Sequence, residues 1–209
     1  AGYTMEAKLG ILPNGDAKPD YDGYEVKTLL RTNITLMTPE PNGGIYKEKG
    51  LSFFLKKYGY CDDKGEYRLS KRHKVGVRHP DTGLTLTLNF GDFHPIERRF
   101  DFGGSISLMD DEGMVAASWN LDRMISHWLT KHSSTVIIRA KKAHGEVSFM
   151  PEVIFCHGPD PVGLIDGFAQ GMICWDPGLK ESKRRNQFRI TLNNLKKSGL
   201  WENMNIETL

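Results

Sequence analysis

Apolar positions along the chain change period several times, and the changes divide it into alternating strands and helices. Residues 23–28 and 33–38 carry the period of two that puts alternate side chains on opposite faces, which predicts strands, and the second runs into breakers at 39–44. Leu51, Phe54, Leu55 and Tyr58 recur at helical spacing after Ser52 and predict a short helix, closed by Gly59 in the left-handed conformation. Two hairpins are expected next: 74–78 with 84–89 across His79-Pro-Asp-Thr-Gly83, and 105–109 with 114–119 across Asp110-Asp-Glu-Gly113. Asn120 suits the N-cap of a helix carrying Leu121, Met124, Ile125 and Trp128 on one face, followed by a β-branched strand at 134–138. Asp160-Pro161 opens another helix through Leu164 and Phe168 to Gly171. A strand at 172–175, a basic loop at 176–186 and a last strand at 187–191 complete the map. Phe53, Phe54, Trp119 and Trp128 fall at core spacing and are expected to pack inside. With no repeat and no low-complexity linker, the pattern predicts one continuous α/β fold.

Composition narrows the class. A chain of 209 residues suits one domain, at ~100–200 residues per domain, with 39% hydrophobic and 26% charged residues, as in ordinary soluble proteins. No apolar run approaches the ~20 residues a membrane helix needs, and the first ten residues lack the features of a signal peptide, so a cytoplasmic protein with no membrane partner is expected. Cys61, Cys156 and Cys174 are odd in number and far apart, which predicts reduced thiols rather than a disulfide frame or zinc site. The histidines fall in no H-E-x-x-H frame. His127 and His132 are expected at the surface, and His73, within Lys71-Arg-His-Lys74, is placed to touch phosphate. Gly103-Gly104 lacks the Lys-Ser/Thr of a phosphate loop, so nucleotide hydrolysis is not expected. A net charge of +2 says little, but the basic residues are concentrated: 180–189 holds five against Glu181, and 64–74 holds five against Glu66.

The segment Pro19-Asp20-Tyr-Asp-Gly-Tyr-Glu25-Val-Lys27 carries chemistry. On a strand, E-x-K points Glu25 and Lys27 to the same face. Mg²⁺ prefers hard oxygen ligands and keeps some water, so Asp20, Glu25 and the Val26 carbonyl suit one or two such ions. Lys27 is then available to hold the attacking water and to offset charge at the phosphorus, and hydrolysis would leave a 5′-phosphate and a 3′-hydroxyl. The spacing alone is common. Glu25 and Lys27 also read as a solvated pair and Asp20 and Asp22 as turn starters, and Asp22 offers a second, D-x₂-E-x-K register. Asn14-Gly15 and Pro19 confine the chain to turns just before the strand, so that an acid there reaches the metal that Glu25 binds.

Taken together, Glu6-Ala-Lys-Leu-Gly-Ile11, Pro13-Asn14, Pro19-Asp20, Tyr24-Glu25-Val-Lys27 and Ile34-Thr-Leu-Met-Thr38 resemble the catalytic half of the MvaI/BcnI restriction endonucleases, relatives of the mismatch-repair nickase MutH. Near the other end, a helix closing at Gly171, Trp175-Asp176, a basic loop and Phe188-Arg189-Ile190 are similar to that family's DNA-recognition lobe. The resemblance implies a restriction-endonuclease-like mixed sheet flanked by helices, with a catalytic lobe at 1–140 and a recognition lobe at 141–209 around a DNA cleft. It places the family's catalytic set on Glu6, Asp20, Glu25 and Lys27, its longer spacing favouring Asp20 over Asp22. It implies a type II, Mg²⁺-dependent endonuclease that acts as a monomer on duplex DNA at a short C/G-rich site. Only five residues precede Glu6, fewer than the family has, so a further domain upstream is expected. Asp176, Lys183, Arg184, Arg185, Asn186, Gln187 and Arg189 are candidates for reading DNA, since arginine pairs with guanine, Asn and Gln with adenine, and Asp with cytosine. The plain alternative is a basic turn that touches phosphate alone. A MutH-like nickase and a catalytically silent DNA-binding module are the rival functions.

Overall fold

The computed structural model describes residues 2–11, 20–91, 93–94, 99–100 and 104–208. Pro13, Asn14, Gly15 and Pro19 of the opening segment, and Gly103, lie outside the described residues. In chain order the elements begin α1 (Gly2–Lys8), β1 (Glu25–Leu29), β2 (Asn33–Met37), α2 (Gly44–Tyr58), β3 (Tyr60–Cys61) and β4 (Tyr67–Leu69). Then come β5 (Thr85–Asn89), β6 (Phe93–His94), β7 (Arg99–Phe100), β8 (Ser105–Met109), β9 (Val115–Asn120), α3 (Leu121–Lys131) and β10 (Ser134–Ala143). The chain ends with β11 (Glu146–Pro159), α4 (Pro161–Ala169), β12 (Ile173–Trp175), β13 (Leu179–Lys180), β14 (Phe188–Thr191), α5 (Leu192–Leu195) and β15 (Trp201–Thr208). The fold is mixed α/β. Among the described residues no helix is long and apolar enough to cross a membrane.

The chain divides into two compact units. The first gathers Ala1–Ile34, Ile125–Ile165 and Thr191–Leu209, and its sheet has the order β1-β10-β11-β15. β1 runs parallel to β10, and the other two pairings are antiparallel. His144 and Gly145, both at positive φ, make the two-residue turn between β10 and β11, a backbone shape whose hand matches the twist of the strands. Trp128 packs on Trp201 with ring centroids 4.9 Å apart, and the Trp201 indole donates to the His132 carbonyl at 3.2 Å.

The second unit gathers Thr35–Met124 and Asp166–Ile190. It holds the three-stranded sheets β12-β14-β2, β13-β4-β3 and β5-β8-β9, with Phe54, Leu69, Leu86, Leu108, Trp119, Phe168, Trp175 and Phe188 fully buried. The β8–β9 hairpin, the Asn120 cap, whose amide oxygen accepts from the Arg123 N–H at 3.1 Å, and the Asp160 cap of α4 are as the sequence predicts.

Several expectations are corrected. Gly59 is extended rather than left-handed, and a side chain there would meet the Arg68 carbonyl oxygen, so space rather than φ requires glycine. Residues 74–78 make only isolated bridges to β5, because Gly76 at φ +73 turns the chain, and the continuous partner of β5 is β8. Phe53 is exposed, whereas Phe54, Trp119 and Trp128 are buried. His132 is buried, bonded to the Thr135 hydroxyl at 3.0 Å and stacked on Trp128. His73 is also buried, its ring nitrogens bonded to the Lys71 carbonyl and the Thr82 hydroxyl at 2.8 Å each, so it is closed off from phosphate.

Candidate active site and candidate nucleic-acid interface

β1 starts from a tight turn. Tyr21 and Tyr24 exchange main-chain hydrogen bonds across Asp22 and Gly23, both at positive φ, as in the Asp-Gly turns that close two-residue hairpins. The Tyr24 ring packs edge-on against Phe155 and His157 of β11 and pins the turn to the sheet. Asp22 is thereby spent at an exposed turn tip, while Asp20 folds back so that its Oδ2 accepts from the Val26 N–H at 3.1 Å. In a strand the N–H and C=O of one residue point the same way. Among the described residues β1 ends its sheet, so the Val26 carbonyl faces the open edge beside Asp20.

Glu25, by alternation, turns the other way from Val26 and is only 2% exposed. One carboxylate oxygen pairs with Lys27, two residues on, and the other with Lys131 of α3 at 2.8 Å. Burial is the larger influence and pushes the Glu25 carboxyl above the usual carboxylate range, against the opposing pull of the two lysines. The Lys131 ammonium also lies 4.0 Å from Asp20 Oδ1. Asp20, Glu25 and Lys27 are thus brought together, and the two acids converge on one cation.

That convergence tests the site for a metal. Among the described residues no cluster of three His, Cys, Asp or Glu side chains could hold an ion. The donor set is instead two carboxylates with a main-chain carbonyl at the open edge, all hard oxygen, and it fits a magnesium-like ion that keeps water in its remaining positions. Glu6 stands on α1, which lies alongside β1 with Gly2 near the Thr28 hydroxyl. Glu6 is half-buried and makes no direct hydrogen bond or ion pair with the other three. Lys131 is the residue that sequence reasoning missed. Its last-turn position on α3 was visible, but its meeting with Glu25 follows from the parallel register that sets Glu25 against Thr135 just beyond the helix.

In the second unit, Lys183, Arg184 and Arg185 are exposed, and the loop around them is held by flanking bonds: Lys180 and Ser182 to Glu66, and Ser52 to Glu181. Asn186 does not join them. Its amide is buried and donates to Glu40 Oε1 at 3.1 Å and Tyr46 Oη at 3.2 Å, within a pocket whose burial pushes the Tyr46 phenol up to about 12. Asp176, Gln187 and Arg189 lie on one side of the β12–β14 pair, whose other side buries Trp175 and Phe188. Arg189 Nη1 donates to Asp176 Oδ2 at 3.1 Å, and so does Arg72 Nη2, also at 3.1 Å. The nearby Cys174 thiol is pushed up by burial, with Arg72, Asp176, Lys74 and Arg189 all acting on it through their charges. Arg72 and Lys74 carry no role in the sequence reading beyond a count of basic residues in 64–74.

The sequence model of the MvaI/BcnI restriction endonuclease family matches residues 1–197. No curated protein matches the chain. Among solved structures, a complex of restriction endonuclease MvaI with cognate DNA substrate superposes with a TM-score of 0.71 at 16% identity, over 98% of this chain and 86% of that one. Restriction endonuclease MvaI in the absence of DNA gives 0.53 at 16% identity, over 97% and 83%.

Proposed function

Since the chain belongs to the MvaI/BcnI restriction endonuclease family and is a type II site-specific deoxyribonuclease, we propose that it cuts duplex DNA at a short C/G-rich site with Mg²⁺, using Glu6, Asp20, Glu25 and Lys27. The family uses a divalent metal. The observation that carries the reading is the convergence of Asp20 and Glu25 on a single cation beside the outward Val26 carbonyl.

Asp20, Glu25 and the Val26 carbonyl would hold the ion, and Glu6 would support it from α1. When bound, Mg²⁺ supplies polarisation of the scissile phosphate and a more acidic water. The protein supplies the rest. The Val26 N–H fixes the Asp20 carboxylate, Lys27 and Lys131 position the two oxygens of the Glu25 carboxyl, and Lys27 holds the attacking water and offsets charge on the phosphorus. Attack by that water, with departure of the 3′ oxygen, leaves a 5′-phosphate and a 3′-hydroxyl. Acting as a monomer with this one site, the chain would cut one strand per binding event. Base reading falls to Asp176, Gln187 and Arg189, and phosphate contact to Lys183, Arg184 and Arg185.

Plasmid and phage DNA incubated with Mg²⁺, beside EDTA and the Lys27→Ala and Asp20→Ala variants, test this. Discrete bands with one set of sequenced ends are expected from the parent alone, with each variant slower by about a hundredfold or more. Undigested DNA with folded parent protein, or cutting that survives EDTA, would overturn the reading. Nicked circles as the end product would make the enzyme a nickase.

A further inference from the structure

We propose that Arg72, from outside the loop and strands discussed so far, is a specificity-determining residue that reads a base. The inference rests on the reading of the chain as a DNA-binding endonuclease. His73 and Trp175 exchange both main-chain hydrogen bonds, at 2.8 and 3.0 Å, as an antiparallel bridge. That sets Arg72 opposite Asp176 and Lys74 opposite Cys174, while the β12–β14 register sets Cys174 opposite Arg189. Residues opposite one another share a face. Arg72, Lys74, Asp176, Gln187 and Arg189 therefore share one face across three chain segments, with the buried Cys174 between Lys74 and Arg189, and His73, Trp175 and Phe188 fill its buried reverse.

On that surface both arginines bond the same oxygen, Asp176 Oδ2, which leaves Oδ1 outside either ion pair. An exposed ion pair of this kind adds only ~0–1 kcal/mol to stability, so fold maintenance does not account for a second arginine. The Arg72 side chain is 41% exposed, against 29% for Arg189, and Asp176 is its sole ion-pair partner among the described residues. One point of attachment holds the guanidinium beside Asp176 and leaves its other donors outside any hydrogen bond among the described residues. Guanine offers O6 and N7 as paired acceptors and cytosine an exocyclic amine as donor. An arginine fork beside a carboxylate oxygen matches the two halves of one C·G pair, and Arg72 supplies a second fork next to the one on Arg189.

Selection from a randomised duplex library, with Ca²⁺ in place of Mg²⁺, is the test for the parent, Arg72→Ala and Arg72→Lys, with thermal unfolding to show that each is folded. The parent is expected to enrich a motif, and both variants to lose about 10- to 100-fold of the preference at one base pair while keeping the others. Lysine keeps the charge and loses the fork, so it should behave like alanine at that base pair. Variants that enrich the parent's motif unchanged would overturn the inference. So would a uniform weakening at all positions with a salt slope shallower by about one, which marks a phosphate contact. A parent that enriches no motif overturns it as well, whereas one that enriches a motif but does not cut with Mg²⁺ sinks the proposed chemistry and leaves Arg72 judged by its variants.

Discussion

Glu25 gives up nearly all contact with water and takes two ammonium groups in exchange. A buried carboxylate that loses one of two cationic partners is left short of compensation. Lys131→Met is therefore expected to lower stability by about 1–3 kcal/mol in urea unfolding, with Lys131→Arg recovering most of it, and an unchanged midpoint would refute the pairing. Asp20→Asn, which removes one charge from the site, should weaken Mg²⁺ binding at least tenfold in calorimetry without DNA. His73 shifts stability with pH in the same sense as a paired acid, although it carries its proton charge differently. Burial pulls its imidazole down to about 4, so the unfolded chain binds the proton more readily than the folded one. The stability it contributes is complete above its unfolded value of about 6.5 and is lost as pH falls from there through 4. That amounts to roughly 3 kcal/mol, which His73→Gln should remove from the pH dependence of the urea midpoint.

Among the elements, α2 is two helical pieces joined at Gly50, which sits at φ 81 and ψ 168, a conformation open almost only to glycine. Gly50→Ala should cost about 1–3 kcal/mol, visible as a lower thermal midpoint, with no direct effect on DNA. In α4 the need is space: a side chain at Gly163 would meet the Gly199 carbonyl oxygen. Gly163→Ala is therefore expected to destabilise by shifting the turn before β15. The α3 stripe, the β8–β9 hairpin and the E-x-K strand were legible in the sequence because each is a local pattern, complete within about a dozen residues. β11 and β15 were not, since a fourteen-residue strand with interrupted alternation and an eight-residue strand of mostly exposed positions carry little period-two signal. His73 and His132 were misplaced for a related reason: their partners Thr82 and Thr135 satisfy them inside, and nothing in their own spacing announces it.

At the scale of the whole molecule, the chain passes from one unit to the other at residues 34/35, 124/125, 165/166 and 190/191, and two of these passages fall within the helices α3 and α4. A unit interleaved in this way is not a contiguous stretch of sequence. A fragment of residues 35–124 lacks β12 and β14, whose Trp175 and Phe188 fill its unit's core, and it is expected to show no cooperative unfolding by near-ultraviolet circular dichroism. The same separation along the chain explains which parts of the candidate site were legible: Asp20, Glu25 and Lys27 lie within eight residues, whereas Lys131 and Arg72 meet their partners only through tertiary pairing. The open edge of β1 has one more consequence. An unpaired strand edge can template the addition of another extended chain, and natural proteins blunt such edges with charge. Asp20 covers a main-chain donor of that edge with a carboxylate, the kind of charge that blunts strand addition. Asp20→Ala should therefore self-associate on storage faster than Lys27→Ala, a difference that light scattering at matched concentration would record.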